Sequence, residues 1–128
     1  MINSFRTQEG NARYDAYRKD NPVFTDTCVL CDRAPLHEFT WWKIIENAFP
    51  YDRIASTHHM LMPKRHTLES ELTPDEKSEL ERIKESGLDA YQFIIEPTRA
   101  LKSIPSHFHL HLIVCKEIVC DTPDDRGV

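Results

Sequence analysis

Three histidines alternate with apolar residues close to the end of the chain. His107, His109 and His111 occupy every second position, and the run 112–114 that follows is uniformly apolar. Alternation with a period of two predicts a β-strand with its histidines on one face and apolar side chains on the other. Each imidazole needs a hydrogen bond, a metal ion or water as a partner. Solvent-facing histidines on an edge strand would need no function, but three in a row indicate a site.

Two chemical interpretations of these histidines compete. In the first, all three hold one catalytic zinc ion. Neighbouring imidazoles on a strand lie about 7 Å apart and three span about 13–14 Å, so one ion could be reached by all three only if the strand bends. In the second, the histidines divide the work. One binds a structural metal ion, one is a nucleophile, and one binds the group that is attacked.

The cysteines offer a second candidate site. Cys28 and Cys31 form a C-x-x-C motif, whereas Cys115 and Cys120 lie far along the chain without that spacing. Two disulfides would suit a secreted domain, but the N-terminus lacks the apolar core of a signal peptide. A redox C-x-x-C usually opens a helix after a strand, and the surroundings at 27–33 are more typical of a metal-binding turn. Two further ligands must then come from elsewhere in the chain.

Two segments resemble the motifs of a known superfamily. The run 107–113 resembles the His-φ-His-φ-His-φ-φ signature of the histidine triad (HIT) superfamily, where φ is apolar. Residues 57–66 resemble its upstream segment, which has a histidine, an apolar strand and then Pro-Lys-x-His. The two agree in order and spacing, and with the C-x-x-C the resemblance covers roughly residues 25–115. Five of the seven histidines fall on pattern positions: His58, His66, His107, His109 and His111.

The resemblance implies an enzyme that works through a nucleotidyl-histidine intermediate. His109, the middle histidine, would be the nucleophile, since a neutral imidazole can attack phosphorus near pH 7. His111 would stabilise charge on the phosphate oxygens. A histidine rather than a glutamine there favours hydrolysis. His58 would support the site by hydrogen bonding; alternatively it is a surface residue beside His59.

The leading prediction is therefore a nucleotide hydrolase. It would cleave a phosphoanhydride or phosphoramidate bond of a nucleoside monophosphate derivative, such as a dinucleoside polyphosphate. One alternative is a nucleotidyltransferase that passes the same intermediate to a sugar phosphate or to inorganic phosphate. A nucleotide-binding module with weak turnover is the other, because the Gly-Gln element of the family is absent here.

The resemblance also implies the ligands of a zinc ion. In zinc-containing branches the set would be Cys28, Cys31, His66 and His107, which is closed, tetrahedral and therefore structural. It would tie the knuckle at 27–33 to the sheet and hold His107 so that His109 faces outward. The alternative is two unpaired thiols and two unrelated histidines.

Four further residues are candidates for contact with the nucleotide. Asn47, Phe49 and Tyr51 occupy the region that carries base and ribose in relatives, and aromatic rings there could stack on a base or belong to the core. Ser103 lies near the place where relatives contact phosphate.

The resemblance implies an α+β domain with the HIT-like fold. We expect an antiparallel sheet of about five strands, one long helix, a short N-terminal helix and a zinc knuckle. The expected long helix starts at the capping box Thr73–Glu76 and ends at Gly87. The expected short helix covers 10–19, and the expected strands form two antiparallel pairs, 39–48 with 58–62 and 91–96 with 107–114.

Length and charge limit the possible functions. The chain of 128 residues is expected to form a single domain, 1–128, with an N-terminal extension (1–24), a core (25–115) and a polar tail (121–128). A net charge of -5 argues against a broad nucleic-acid surface, although Lys64-Arg65 and Arg99/Lys102 could form a local basic pocket. No stretch reaches the length of a membrane span, and a cytoplasmic location is expected. We also expect a homodimer with Trp41 and Trp42 as contacts.

Overall fold

A five-stranded antiparallel sheet forms the centre of the protein. The computed structural model describes residues 4–20, 28, 30–101 and 104–117. In this part of the chain the strands are β1 (His37–Glu38), β2 (Trp42–Glu46), β3 (Ala55–Pro63), β4 (Phe93–Ile95) and β5 (Leu110–Cys115), with the spatial order β1-β2-β3-β5-β4. The α-helices are α1 (Gln8–Asp20) and α2 (Pro74–Ser86). The predicted α+β class, with about five strands, one long helix and an N-terminal helix, is confirmed.

The strand pairs follow the prediction from sequence. β2 and β3 pair antiparallel with Ile44 opposite Leu61. β4 and β5 form the expected antiparallel hairpin with Ile95 opposite His111. β3 and β5 are also neighbours, with Met60 opposite His111. The upstream and downstream histidine segments therefore lie side by side in the middle of the sheet.

The last strand is shorter than predicted. β5 begins at Leu110, whereas the sequence predicted a strand from 107 to 114. In the register of β3 and β5, Leu61 pairs with Leu110, and two residues later β3 ends at Pro63. Proline has no N–H to donate, so the ladder cannot continue. The Phe108 N–H donates instead to the Thr67 carbonyl at 2.8 Å. His107 and His109 consequently lie in the segment that enters the strand.

Helix α2 begins and ends as its sequence indicates. The Thr73 hydroxyl accepts the Glu76 N–H at 3.1 Å, and the Glu76 carboxylate accepts the Thr73 N–H at 2.8 Å. Pro74 opens the first turn and Gly87 caps the C-terminus. The predicted capping box is confirmed. No helix within the described residues could span a membrane.

One face of the sheet packs against α2. Trp42 is fully buried there, and its Nε1–H donates to the Glu76 carbonyl at 2.8 Å. The prediction that Trp42 is a dimer contact is wrong, because its ring fills the core between sheet and helix. Trp41, at 44% exposure, has the accessible side chain, and the homodimer itself stays a prediction. This core consists of Trp42, Ile44, Leu61, Leu72, Leu80, Ile83, Leu88, Phe108, Leu110 and Leu112.

On the side of the opposite face of the sheet, the N-terminal part of the chain packs against the turn after β2. Helix α1 extends the predicted range of 10–19 by a few residues. The segment leading into it is fixed to the turn after β2, since the Asp52 carboxylate accepts the Thr7 N–H at 2.8 Å and the Thr7 hydroxyl at 3.0 Å. The Arg53 N–H donates to the Phe5 carbonyl at 3.0 Å. Residues 4–20 therefore cover the turn that connects β2 to β3.

Candidate functional site

The structure brings His58, His109 and His111 together on this second face. His58 lies on β3 and His111 on the neighbouring β5, and their rings are joined by a contact of 2.7 Å between His58 Nε2 and His111 Nδ1. The ring centroids of His109 and His111 are 5.1 Å apart. All three side chains are at least 95% buried. His58 is therefore part of the cluster, and its surface alternative is excluded.

The partners of His58 and His111 determine where their protons lie. The Tyr51 N–H donates to His58 Nδ1 at 2.9 Å. A neutral imidazole has one donor and one acceptor nitrogen, so His58 carries its proton on Nε2 and donates it to His111 Nδ1. His111 then carries its proton on Nε2, which lies 3.3 Å from the Tyr51 hydroxyl oxygen. The result is a chain of three hydrogen bonds that begins and ends at Tyr51.

His109 carries its proton on the opposite nitrogen. Its Nδ1 lies 2.9 Å from the His107 carbonyl oxygen. Because a carbonyl can only accept, Nδ1 carries the proton and Nε2 keeps the lone pair. This is the tautomer that can act as a nucleophile through Nε2. The side chain is only 3% exposed, so the prediction that His109 faces outward is wrong. Packing against neighbours that include His111 covers the ring.

Burial keeps the two linked imidazoles neutral. Burial lowers the pKa of His58 to about 3, and the nearby Arg6, His59 and His109 act in the same direction. Burial likewise lowers the pKa of His111 to about 2, with His109, His58 and Arg6 adding to the effect. An imidazolium would lose hydration that these surroundings do not replace. Both rings are therefore neutral at pH 7, as the hydrogen-bond chain requires.

The turn between β2 and β3 supports the histidines. The Asn47 side-chain oxygen accepts the Phe49 N–H at 2.8 Å, which closes the turn. Its amide nitrogen lies 3.2 Å from His58 Nε2, but both atoms are donors in this tautomer, so this is a packing contact and not a hydrogen bond. Tyr51 is 3% exposed and stacks on His111 with centroids 4.9 Å apart. Of the two roles considered for this ring, the structure favours the core, since no face is left for a base. Ser103 lies outside the described residues.

A second cluster brings together the four predicted metal ligands. The ligand atoms of Cys28, Cys31, His66 and His107 all lie within 4.8 Å of one another. Three sulfur–nitrogen distances are 3.4–3.5 Å. A tetrahedron with Zn–S about 2.3 Å and Zn–N about 2.0–2.1 Å has a sulfur–nitrogen edge of about 3.6 Å. The set can therefore hold a metal ion and is compatible with zinc.

The orientation of His107 fits this interpretation. Its Nε2–H donates to the Pro63 carbonyl at 2.9 Å, which leaves the Nδ1 lone pair facing the sulfur atoms of Cys28 and Cys31. A hydrogen bond of this kind from the far ring nitrogen is typical of metal-bound histidine. The side chain is fully buried. The two thiols and two histidines are therefore close together in space, and their arrangement is compatible with a metal site.

A buried lysine lies next to the cysteines. Lys43 on β2 is 7% exposed, and its ammonium group donates to the carbonyl oxygens of Cys31 at 3.2 Å and Arg33 at 3.1 Å. Burial and the neighbouring Cys28 raise the pKa of Cys31 to about 11, and Lys43 opposes that shift. A positive charge here favours the thiolate form that binds metal. Lys43 is the polar residue in the otherwise apolar run 41–45, and this break in the pattern was the sequence signal that could have identified it.

The predicted basic pocket does not form from Lys64 and Arg65. Lys64 pairs with Glu38 at 3.2 Å, and Arg65 pairs with Glu76 at 2.9 Å. Arg65 also donates to the Glu71 carbonyl at 2.9 Å, so it fixes the segment that carries His66 to the start of α2. Arg99 is exposed, and Lys102 lies outside the described residues.

Comparison with solved structures identifies the fold. A HIT family hydrolase from Legionella pneumophila Philadelphia 1 superposes with a TM-score of 0.54 at 16% identity, over 74% of this chain and 98% of that one. A histidine triad protein from Clostridium difficile gives a TM-score of 0.48 at 16% identity, over 70% of this chain and 90% of that one. No family model and no curated protein matches the sequence. The first likeness defines the class of architecture: the chain has the histidine triad fold.

Proposed function

We propose that this protein is a HIT-type nucleotide hydrolase with His109 as its nucleophile. Its substrate would be a nucleoside monophosphate joined to a leaving group by a phosphoanhydride or phosphoramidate bond, such as a dinucleoside polyphosphate. The observation that carries the proposal is the hydrogen bond of 2.9 Å from His109 Nδ1 to the His107 carbonyl. It leaves Nε2 with a lone pair for attack on phosphorus.

The proposed reaction has two displacements at one phosphorus atom. His109 Nε2 forms a bond to the α-phosphorus while the bond to the leaving group breaks, and the departing oxygen or nitrogen takes up a proton from solvent. Water then attacks the same phosphorus and gives up a proton to solvent, the nitrogen–phosphorus bond breaks, and nucleoside monophosphate is released with His109 again neutral. The His111 Nε2–H, which lies 3.3 Å from the Tyr51 hydroxyl oxygen, would donate to the phosphate oxygens as charge develops.

The second cluster has a structural role in this proposal. Cys28, Cys31, His66 and His107 would hold zinc, and a four-coordinate ion of this type stabilises the fold without an open position for substrate. These ligands would thereby hold the backbone at residue 107 in place, and the carbonyl of that residue orients His109.

One observation favours a different function. The His109 side chain is 3% exposed, so attack requires that the ring be uncovered when a nucleotide binds. A protein in which the ring stays covered would be a nucleotide-binding module with weak turnover. A transferase would use the same intermediate with a sugar phosphate or phosphate as acceptor.

Trapping the intermediate separates these possibilities. The protein is mixed with a dinucleoside polyphosphate that carries label in its α-phosphate, quenched within one turnover, and analysed for label on the chain by mass spectrometry. We expect one nucleotidyl group per chain, attached at residue 109. The label should disappear in His109→Ala.

His59→Ala provides the matched control. His59 is the sequence neighbour of His58, but its Nδ1 contacts the Tyr91 hydroxyl at 2.6 Å rather than the cluster. This variant should form the adduct at the wild-type rate. Hydrolysis that continues unchanged in His109→Ala would overturn the proposal, and nucleotide binding without an adduct would establish the module instead.

A further inference from the structure

Arg6 is a buried cation beside the histidine cluster. Its side chain is 8% exposed, although arginine is rarely buried without a charged partner. Among the described residues its only hydrogen bond runs from Nε to the Phe49 carbonyl at 3.0 Å. The carboxylates of Asp52 and Asp15 act on it at longer range without forming an ion pair. In the described part of the chain, no carboxylate thus pairs with the two terminal nitrogens of the guanidinium.

Aromatic rings hold this guanidinium in place. Its central carbon lies 4.5 Å from the ring centroid of Tyr14 and 5.2 Å from that of Tyr51. Tyr51 in turn stacks on His111 and contacts it through its hydroxyl. Arg6 is therefore separated from His111 by a single ring, and its charge contributes to the lowered pKa values of both His58 and His111.

From this geometry we infer that Arg6 binds a phosphate group of the substrate. The inference rests on the proposed function, because it assigns Arg6 to the same nucleotide. A buried guanidinium costs hydration free energy that cation–π contacts offset only in part. An arginine held by its Nε and by ring faces keeps its two outer nitrogens in a planar fork, which matches two oxygens of a phosphate. The neighbouring imidazoles are neutral, so Arg6 supplies the positive charge that they do not.

The N-terminal segment is held by hydrogen bonds on both sides of Arg6, which fixes the position of its charge. The next residue, Thr7, makes two hydrogen bonds to Asp52, and the preceding Phe5 accepts the Arg53 N–H. Both contacts join the segment to the turn that carries Asn47 and Phe49. A loosely attached segment could not hold a charge at a fixed distance from His111.

Equilibrium binding of a nucleotide and its nucleoside tests this inference. Isothermal titration calorimetry would compare AMP with adenosine, and GMP with guanosine, on wild type and Arg6→Met. A charged hydrogen bond to phosphate predicts a loss of about 10- to 100-fold in nucleotide affinity, with nucleoside affinity unchanged. Arg6→Lys should lose less, because it keeps the charge without the fork.

Arg18→Met is the matched control. Arg18 is exposed on α1 and lies over the same Tyr14 ring at 5.7 Å, so it removes a nearby guanidinium that faces solvent. It should bind both ligands like wild type. An equal loss of nucleotide and nucleoside affinity in Arg6→Met would show that Arg6 only holds the turn, and no loss would overturn the inference outright.

The two proposals can fail separately. A wild-type adduct at His109 combined with unchanged nucleotide affinity in Arg6→Met would remove the role of Arg6 and keep the hydrolase. Weakened nucleotide binding in Arg6→Met without any adduct in wild type would keep the phosphate contact and remove the hydrolase. Thermal unfolding of each variant shows whether Arg6→Met is folded, and Arg6→Lys provides the comparison if it is not.

Discussion

Backbone groups determine the protonation pattern of the histidines. The Tyr51 N–H fixes His58, the His107 carbonyl fixes His109, and the Pro63 carbonyl fixes His107. A backbone N–H can only donate and a carbonyl can only accept, so the tautomers follow from the fold. His107 and His109 are two residues apart, yet they present opposite nitrogens. His107 has its lone pair on Nδ1, facing the thiols, and His109 has its lone pair on Nε2.

At the scale of single residues, acidification should destabilise the protein through His58. Burial lowers the pKa of this side chain to about 3, against about 6.5 in an unfolded chain. Between these values the unfolded state binds a proton that the folded state does not. Titration of this group therefore leaves the free energy of unfolding unchanged above about pH 6.5 and lowers it by about 1.4 kcal/mol per pH unit below that value. The free energy of unfolding in urea, measured from pH 7 to pH 5, should show this decline.

The variant His58→Asn isolates that contribution. Asparagine does not titrate, so the variant should lose one group's share of the pH slope, while metal ligands that also take up protons in acid are unchanged in both proteins. A His58→Asn protein with the wild-type slope would contradict the assignment of a neutral, buried His58.

The sequence predicted which histidines meet but not how they are protonated. The resemblance to the HIT motifs was sufficient to place His58, His109 and His111 in one cluster, and His66 with His107 in another. The tautomers depend on Tyr51 N–H and Pro63 C=O, whose positions follow from strand register and from a turn rather than from a motif. Arg6 gave no signal at all, because it lies in a polar segment with no periodicity.

At the scale of elements, one proline determines where the histidine strand starts. Alternation predicted a strand from residue 107, since the pattern of side chains continues beyond the point where pairing ends. Pro63 ends the ladder, and its carbonyl accepts the His107 ring N–H instead of a strand partner. Periodicity reports the direction of side chains, whereas strand length also depends on whether the neighbouring backbone can donate. Because strand pairing ends before this segment, the residues from His107 to His109 contact side chains and turns instead of a paired strand.

Docking of helix α1 should depend on the absence of a side chain at Gly10. Replacing glycine by alanine inside a helix ordinarily stabilises by about 0.5–1 kcal/mol. A Cβ at this position would lie 2.8 Å from both carboxylate oxygens of Asp52, which are held by Thr7 and Arg13. We therefore expect Gly10→Ala to destabilise by about 1–3 kcal/mol, as overpacking does. Chemical denaturation of the purified variant measures the sign directly.

A double-mutant cycle with Asp52→Ala tests the cause. Without the carboxylate the clash disappears, so Gly10→Ala in the Asp52→Ala background should be neutral or stabilising. The same destabilisation in both backgrounds would show that Asp52 is not what excludes a side chain at this position.

At the scale of the whole molecule, the candidate metal site joins three parts of the chain that are remote in sequence. Cys31 lies 35 residues from His66 and 76 residues from His107. Each connection closes a long loop of the chain. Without it, packing of the sheet and core alone must offset the conformational entropy lost when that loop closes. The knuckle around Leu30 adds a small apolar cluster with Ile45, Met60 and Met62, so it contributes little burial of its own. Its position on the sheet should depend largely on a bound metal ion.

Removing the metal should therefore weaken the whole domain rather than the knuckle alone. We expect protein purified without chelator to contain about one zinc per chain, and treatment with a chelator to lower the melting temperature by about 10 °C, which corresponds to a loss of about 2–3 kcal/mol for a domain of this size. Cys31→Ser should melt at the temperature of the chelated wild type and show no further response to chelator. Cys115→Ser, whose thiol lies outside the cluster, should keep both the zinc and the response. A wild-type melting temperature that does not change when zinc is removed would show that the sheet alone holds His107 in place. The position of the His107 carbonyl, which orients His109, would then not depend on the metal.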